Sequence, residues 1–177
     1  MSEHPILFSG EMVRVILEGR KTQTRRVLKG TYTDPGSGPY GCTGDRLWVK
    51  ETFSYAPKGY VYRADFKDGH GQEVVDLATG DTVPLIWKPS IFMPRKASRI
   101  TLEITRIGYD WLHNITQIDA AKEGVSIPVG KYPIKEDAQE YVYEFAELWD
   151  SINFKRGYGW ETNPMVWVIE FRREFPR

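Results

Sequence analysis

Lys21 and Thr24 stand three residues apart in "EGRKTQTRR", residues 18–26. A threonine hydroxyl is a weak nucleophile until a base takes its proton. A lysine can be that base when burial or neighbouring cations lower its pKa. Arg20, Arg25 and Arg26 are such neighbours. Residues at this spacing share a face in a helical turn and point to opposite sides in a regular strand, so cooperation requires a turn or bulge after Gly19. On spacing alone, a solvated basic turn with threonine as a strand former accounts for the same residues.

Two carboxylates are also placed oddly. Glu51 falls on an otherwise apolar strand face with Leu47, Val49 and Phe53. Glu123 falls in the last turn of a short helix, just before Gly124, where the helix dipole disfavours an acid. Arg95, Lys96 and Arg99 in "MPRKASR" form a second basic cluster, able to hold phosphates or simply to flank a strand. His4, His70 and His113 lack metal-ligand spacing, and Cys42 is the single cysteine. There is no nucleophile elbow and no phosphate-cradling glycine loop, so the expectation is chemistry without metal or cofactor.

The elements that must position these groups are legible from pattern. Ser9 caps a helix with Met12, Val13, Ile16 and Leu17 on one face, and Gly19 ends it in a left-handed conformation. Residues 30–45 are a loop by composition, "RLWVKETF" and "YVYRAD" are strands, and 66–97 reads as hairpin and loop. "SRITLEITRI" is the clearest strand. "ITQIDAAKEGV" is a helix opened by a Thr116–Asp119 capping pair. "KEDAQEYVYEFAELWDSI" is a longer helix whose stripe, Ala138, Tyr141, Val142, Phe145, Leu148, Trp149 and Ile152, is core packing. "NFKRGYGWETN" is a loop and "PMVWVIEF" a strand paired on both sides. Several short strands with few helices indicate an α+β domain around a small closed or half-closed sheet.

The 177 residues suit one domain, 1–177. Acidic and basic residues number 24 each, so a nucleic-acid site, if present, is local. Six Trp and ten Tyr supply flat surfaces for a core or for nucleobases. No signal peptide or membrane-length apolar run is evident, and a cytoplasmic protein with no membrane partner is expected.

In the order of its pieces the chain resembles the ASCH domain family. The matching stretches are "ILEGRKTQTRR", "GDRLWV", "ITQIDAAKEGV" and "VWVIEF", spread over nearly the whole length. "WKPSIFMPRKASRITLEITRI" is similar to the larger phage and prophage members. The resemblance implies a PUA-like small β-barrel with a few flanking helices. Compact bacterial members hydrolyse N4-acetylcytidine with a Lys, a Thr and a Glu, matching Lys21, Thr24 and Glu123 here. The chain departs from them in insert loops near 30–45 and 54–97. The implied activity is a metal-free amidohydrolase acting on an acylated cytidine or cytosine. Substrate contacts are expected from Arg20, Arg25, Arg26, Glu51, Arg95 and Arg99. Other relatives bind RNA, and some have ribonuclease activity attributed to them. An RNA-binding module using these cations, with Tyr158 or Trp160 stacking on a base, is therefore the alternative. A domain without catalysis, serving phage assembly or host interaction, is a third.

Overall fold

The chain's structure, a computed structural model, describes residues 1–31, 38–57, 59–66, 73–76, 78–127 and 139–175. Ser9 caps the first helix as its sequence predicts, its side chain accepting from the Met12 amide at 3.3 Å. Strand β1 (Glu3–Leu7) leads through that cap into α1 (Gly10–Leu17), which buries Val13 and Ile16. Gly19, at φ +76°, ends the helix. Residues 20–22 then connect to β2 (Gln23–Val27).

The expected strand "RLWVKETF" is divided. β3 (Arg46–Lys50) stays in the main sheet, and the chain leaves it at Glu51. Phe53 then pairs with Tyr62 and Lys88 instead, and β4 (Phe53–Ala56) with β5 (Gly59–Tyr62) forms a separate hairpin. The end of "YVYRAD" turns into a single 3-10 turn at Arg63–Asp65. β6 (Glu73–Val75) and β7 (Thr82–Pro84) make a second hairpin, inside the segment read as hairpin and loop.

β8 (Thr101–Trp111) is the long strand the alternation predicts, with a register shift between Ile104 and Arg106. Next come α2 (Gln117–Lys122), α3 (Glu140–Asn153) and β9 (Met165–Glu174). The Thr116–Asp119 pair is a reciprocal capping box. Ala138 and the first part of the expected long helix lie outside the described residues.

The five-stranded sheet has the order β1-β3-β8-β9-β2, with β1–β3 parallel and the other pairs antiparallel. β9 is thus paired on both sides, as its apolar run predicts. The α+β class holds, but the closed barrel does not: among the described residues the sheet keeps two edges, β1 and β2. Side chains bridge those edges where a backbone ladder would close them. Arg26 on β2 donates to the Leu7 carbonyl at 2.7 Å, and its guanidinium lies 4.9 Å from the Phe8 ring centroid.

One core holds α1 to the sheet through Ile6, Val13, Ile16, Leu47, Leu102 and Ile169. A second holds α2 and α3 to β9 through Leu112, Ala120, Phe145, Trp149 and Val166. Each large apolar side chain so buried contributes about 1.5–3 kcal/mol. Val27 of β2 packs against the second core, which thereby fixes the end of α2 against β2. No helix among the described residues is long and apolar enough to cross a membrane.

Candidate functional site

The connection at residues 20–22 is pinned from three sides. The amides of Arg20 and Lys21 both donate to the Val15 carbonyl, at 2.9 and 3.0 Å. The Thr22 amide donates to the Lys122 carbonyl at the end of α2, and the Thr22 carbonyl accepts from Phe171 on β9, each at 2.9 Å. The segment so held carries Lys21 to the C-terminus of α2, where it meets Glu123; Thr24 lines the neighbouring cavity and Lys21 does not.

Glu123 is the C-cap of that helix. Its placement against the dipole is offset by two cations. Lys21 Nζ donates to Glu123 Oε2 at 2.8 Å and to the Glu123 carbonyl at 2.7 Å. Arg25 Nη1 lies 3.3 Å from Glu123 Oε1, and Arg25 Nη2 lies 3.5 Å from Asp119. With its amide turned, Gln23 accepts from Arg25 and donates to Asp119. Lys21 is 2% exposed, Glu123 4% and Thr24 2%. Burial pushes the Lys21 amine below its ordinary value; Glu123 pulls the other way, and the charges of Arg26 and Arg25 add to the lowering.

Gly124 makes this approach possible. At φ +87° it adopts a conformation that disfavours a side chain, and a Cβ there would meet Val15 Cγ2 at 2.8 Å and Lys21 Cβ at 3.0 Å.

Thr24, Arg25 and Glu123 line a cavity of about 340 Å³. Its walls include the aromatic side chains of Tyr40, Phe145, Trp149, Tyr158 and Trp167. Gly38 lies close against the Trp167 indole, where a Cβ would come within 2.5 Å of the ring. Tyr40 meets the same ring edge-on at a centroid distance of 6.4 Å. Arg25 Nε is buried without a hydrogen-bond partner. A flat, polar ligand suits such walls.

The other sequence-identified residues fall into separate groups. Arg20 stands at the edge of this site, paired with Glu18 at 2.6 Å and donating to Gly124 and Ser126. Arg26 lines the cavity. Glu51 and Arg99 form their own cluster with Asp65: Arg99 bonds Glu51 at 2.9 and 3.1 Å, Asp65 at 2.7 and 2.8 Å, and stacks 4.0 Å from the Tyr62 ring centroid. Burial raises the Glu51 carboxyl, and Arg99 opposes that rise. Arg95 is held by Glu3 at 2.8 and 2.9 Å. His113 meets the Trp160 carbonyl, and Trp160 packs on Phe145 rather than lining the cavity.

Sequence reasoning missed Lys29, Asn153, Arg156 and Trp167 as lining residues. The basic pair Lys155–Arg156 beside "GYG" was the available signal, but a loop's address in space is not written in its composition.

Together fold and site define an α+β protein with a buried Lys–Glu pair at the edge of an aromatic, cation-rich cavity. No family model matches the chain, and no curated protein matches it. A solved structure similar to it is the crystal structure of an ASCH domain from Lactobacillus crispatus JV V101, at 12% identity and a TM-score of 0.45, covering 97% of this chain and 79% of that one.

Proposed function

We propose that this is an ASCH-type amidohydrolase that removes the acyl group from an N4-acylated cytidine or cytosine, with Lys21, Thr24 and Glu123 as its catalytic residues. The observation that carries this reading is the buried Lys21–Glu123 pair, set where Glu123 and Thr24 share an aromatic cavity. The order of sequence motifs supports it independently.

In this mechanism Lys21, as the neutral amine, takes the Thr24 hydroxyl proton while Thr24 Oγ bonds to the acyl carbon. Collapse of the adduct breaks the acyl C–N bond. The departing N4 nitrogen receives a proton from the Lys21–Glu123 pair, and the cytosine amine leaves. Water then adds its oxygen to the acyl-threonine, returns a proton to Thr24 Oγ and releases the acid. A direct route, in which Lys21 activates water and Thr24 only hydrogen-bonds the substrate, uses the same residues. Rapid quenching followed by intact mass separates the two, since only the first leaves an acyl group on Thr24.

The RNA-module reading has less support, because Arg20, Arg95 and Arg99 are each occupied by a carboxylate. The test is chromatographic: purified protein with N4-acetylcytidine, with and without chelator, followed for cytidine. Product with wild type and none with Lys21→Ala is expected. No product at high enzyme concentration would exclude the reaction on this nucleoside.

A further inference from the structure

The charge in the cavity wall is lopsided. Arg25, Arg26, Lys29 and Arg156 line it against one carboxylate, Glu123. That carboxylate is already matched by Lys21 and Arg25. The remaining three cations have no carboxylate partner among the described residues. Arg26 gives one donor to the Leu7 carbonyl, and Lys29 lies 5.7 Å from the Tyr158 ring centroid. Arg156 is exposed and close enough to Arg26 for the two charges to repel. A chain with as many acids as bases has thus gathered uncompensated positive charge at one small opening. Such a cluster is unfavourable by itself and is relieved by an anion; guanidinium forks are suited to phosphate oxygens.

We propose that the cavity takes a phosphorylated ligand, a nucleoside monophosphate, whose phosphate sits among Arg26, Lys29 and Arg156. The identity of the base rests on the function proposed above; the phosphate seat does not. A volume of about 340 Å³ fits one small ligand and not a folded polymer. Tyr158 lines the same cavity beside Lys29 and offers the base or sugar an aromatic face.

Calorimetric titrations of the full chain with cytidine, cytidine monophosphate and a short single-stranded RNA test this. The monophosphate is expected to bind about tenfold or more tightly than the nucleoside at low salt, with the margin shrinking as salt rises. The Lys29→Ala, Arg156→Ala double variant is expected to lose that margin while melting at the wild-type temperature. Lys96→Ala, an exposed lysine outside the cavity, keeps it. Equal affinity for nucleoside and monophosphate overturns the proposal. A margin that survives in the double variant overturns it too. RNA binding more tightly than the monophosphate would move the site to a polymer and so reject it. Hydrolysis of the N4-acetyl forms of both compounds is measured separately. Loss of all hydrolysis with the binding margin intact removes the reaction and leaves the phosphate seat. Equal kcat/KM for both forms with equal binding removes the seat and leaves the reaction.

Discussion

Lys21 holds Glu123 twice, through its carboxylate at 2.8 Å and through its main-chain carbonyl at 2.7 Å. The second bond ties the amine to the backbone at the end of α2, so the geometry does not depend on the glutamate rotamer alone.

Glu123→Met leaves the buried Lys21 without a carboxylate and is expected to lower stability by about 3–5 kcal/mol; Lys21→Met, which leaves Glu123 its contact with Arg25, is expected to cost less. The Lys21→Met, Glu123→Met double variant is expected to recover much of that loss and remain inactive. Denaturant melts with parallel assays separate the effects. A double variant as unstable as the sum of the singles would mean the pair is not energetically coupled.

In the proposed mechanism the lowered Lys21 amine sets the pH dependence. Below its folded pKa the amine is charged, above it neutral, so kcat/KM is expected to rise with pH through a limb centred below 10.5. Between that folded value and 10.5 the unfolded chain holds the extra proton, so stability also rises with pH across the same window. A wild-type profile with no rising limb anywhere below 10.5 would remove Lys21 as the base. Lys21→Met should abolish the stability component.

Gly124→Ala tests the close approach of the two segments. Positive φ and a Cβ against Val15 and Lys21 together are expected to cost about 1–3 kcal/mol. The same change should displace Lys21 and reduce kcat at least as strongly as it affects KM. Wild-type melting temperature and rate in this variant would show that the backbone can shift without loss.

The Glu51–Arg99–Asp65 cluster is expected to support the fold and not the ligand. Arg99→Ala leaves Glu51, 1% exposed, without its cation and should destabilise by about 3 kcal/mol. Nucleoside affinity, measured well below the melting temperature, should stay at the wild-type value. A large drop in affinity at full stability would return Arg99 to the binding surface.

What the sequence makes legible is local. The Ser9 cap, the Gly19 stop and the Thr116–Asp119 box each involve residues a few positions apart, and each is present. The apolar run of β9 foretells pairing on both sides because only a covered strand tolerates it. Glu123 is conspicuous for standing against a helix dipole, but its contact with Arg25 and the bond to its own carbonyl are not readable. Glu51 is conspicuous for the same kind of reason, yet its partner Arg99 lies on a segment with no pattern linking the two. The barrel that the resemblance implies is not closed among the described residues, because closure depends on which edges meet, and here one arginine side chain spans them. Pro39, Tyr40, Arg156 and Tyr158 add walls from outside the strands and α-helices, at positions set only by tertiary packing.

Thr24 sits on β2, and its ladder partner is Ile169 on β9, the last strand described. This pairing spans most of the chain, so it is among the contacts with the highest loop-closure cost. On a ribosome, Lys21 and Glu123 are both made long before Trp167 emerges to floor the cavity. A nascent chain therefore lacks the completed cavity until β9 has emerged and docked between β8 and β2.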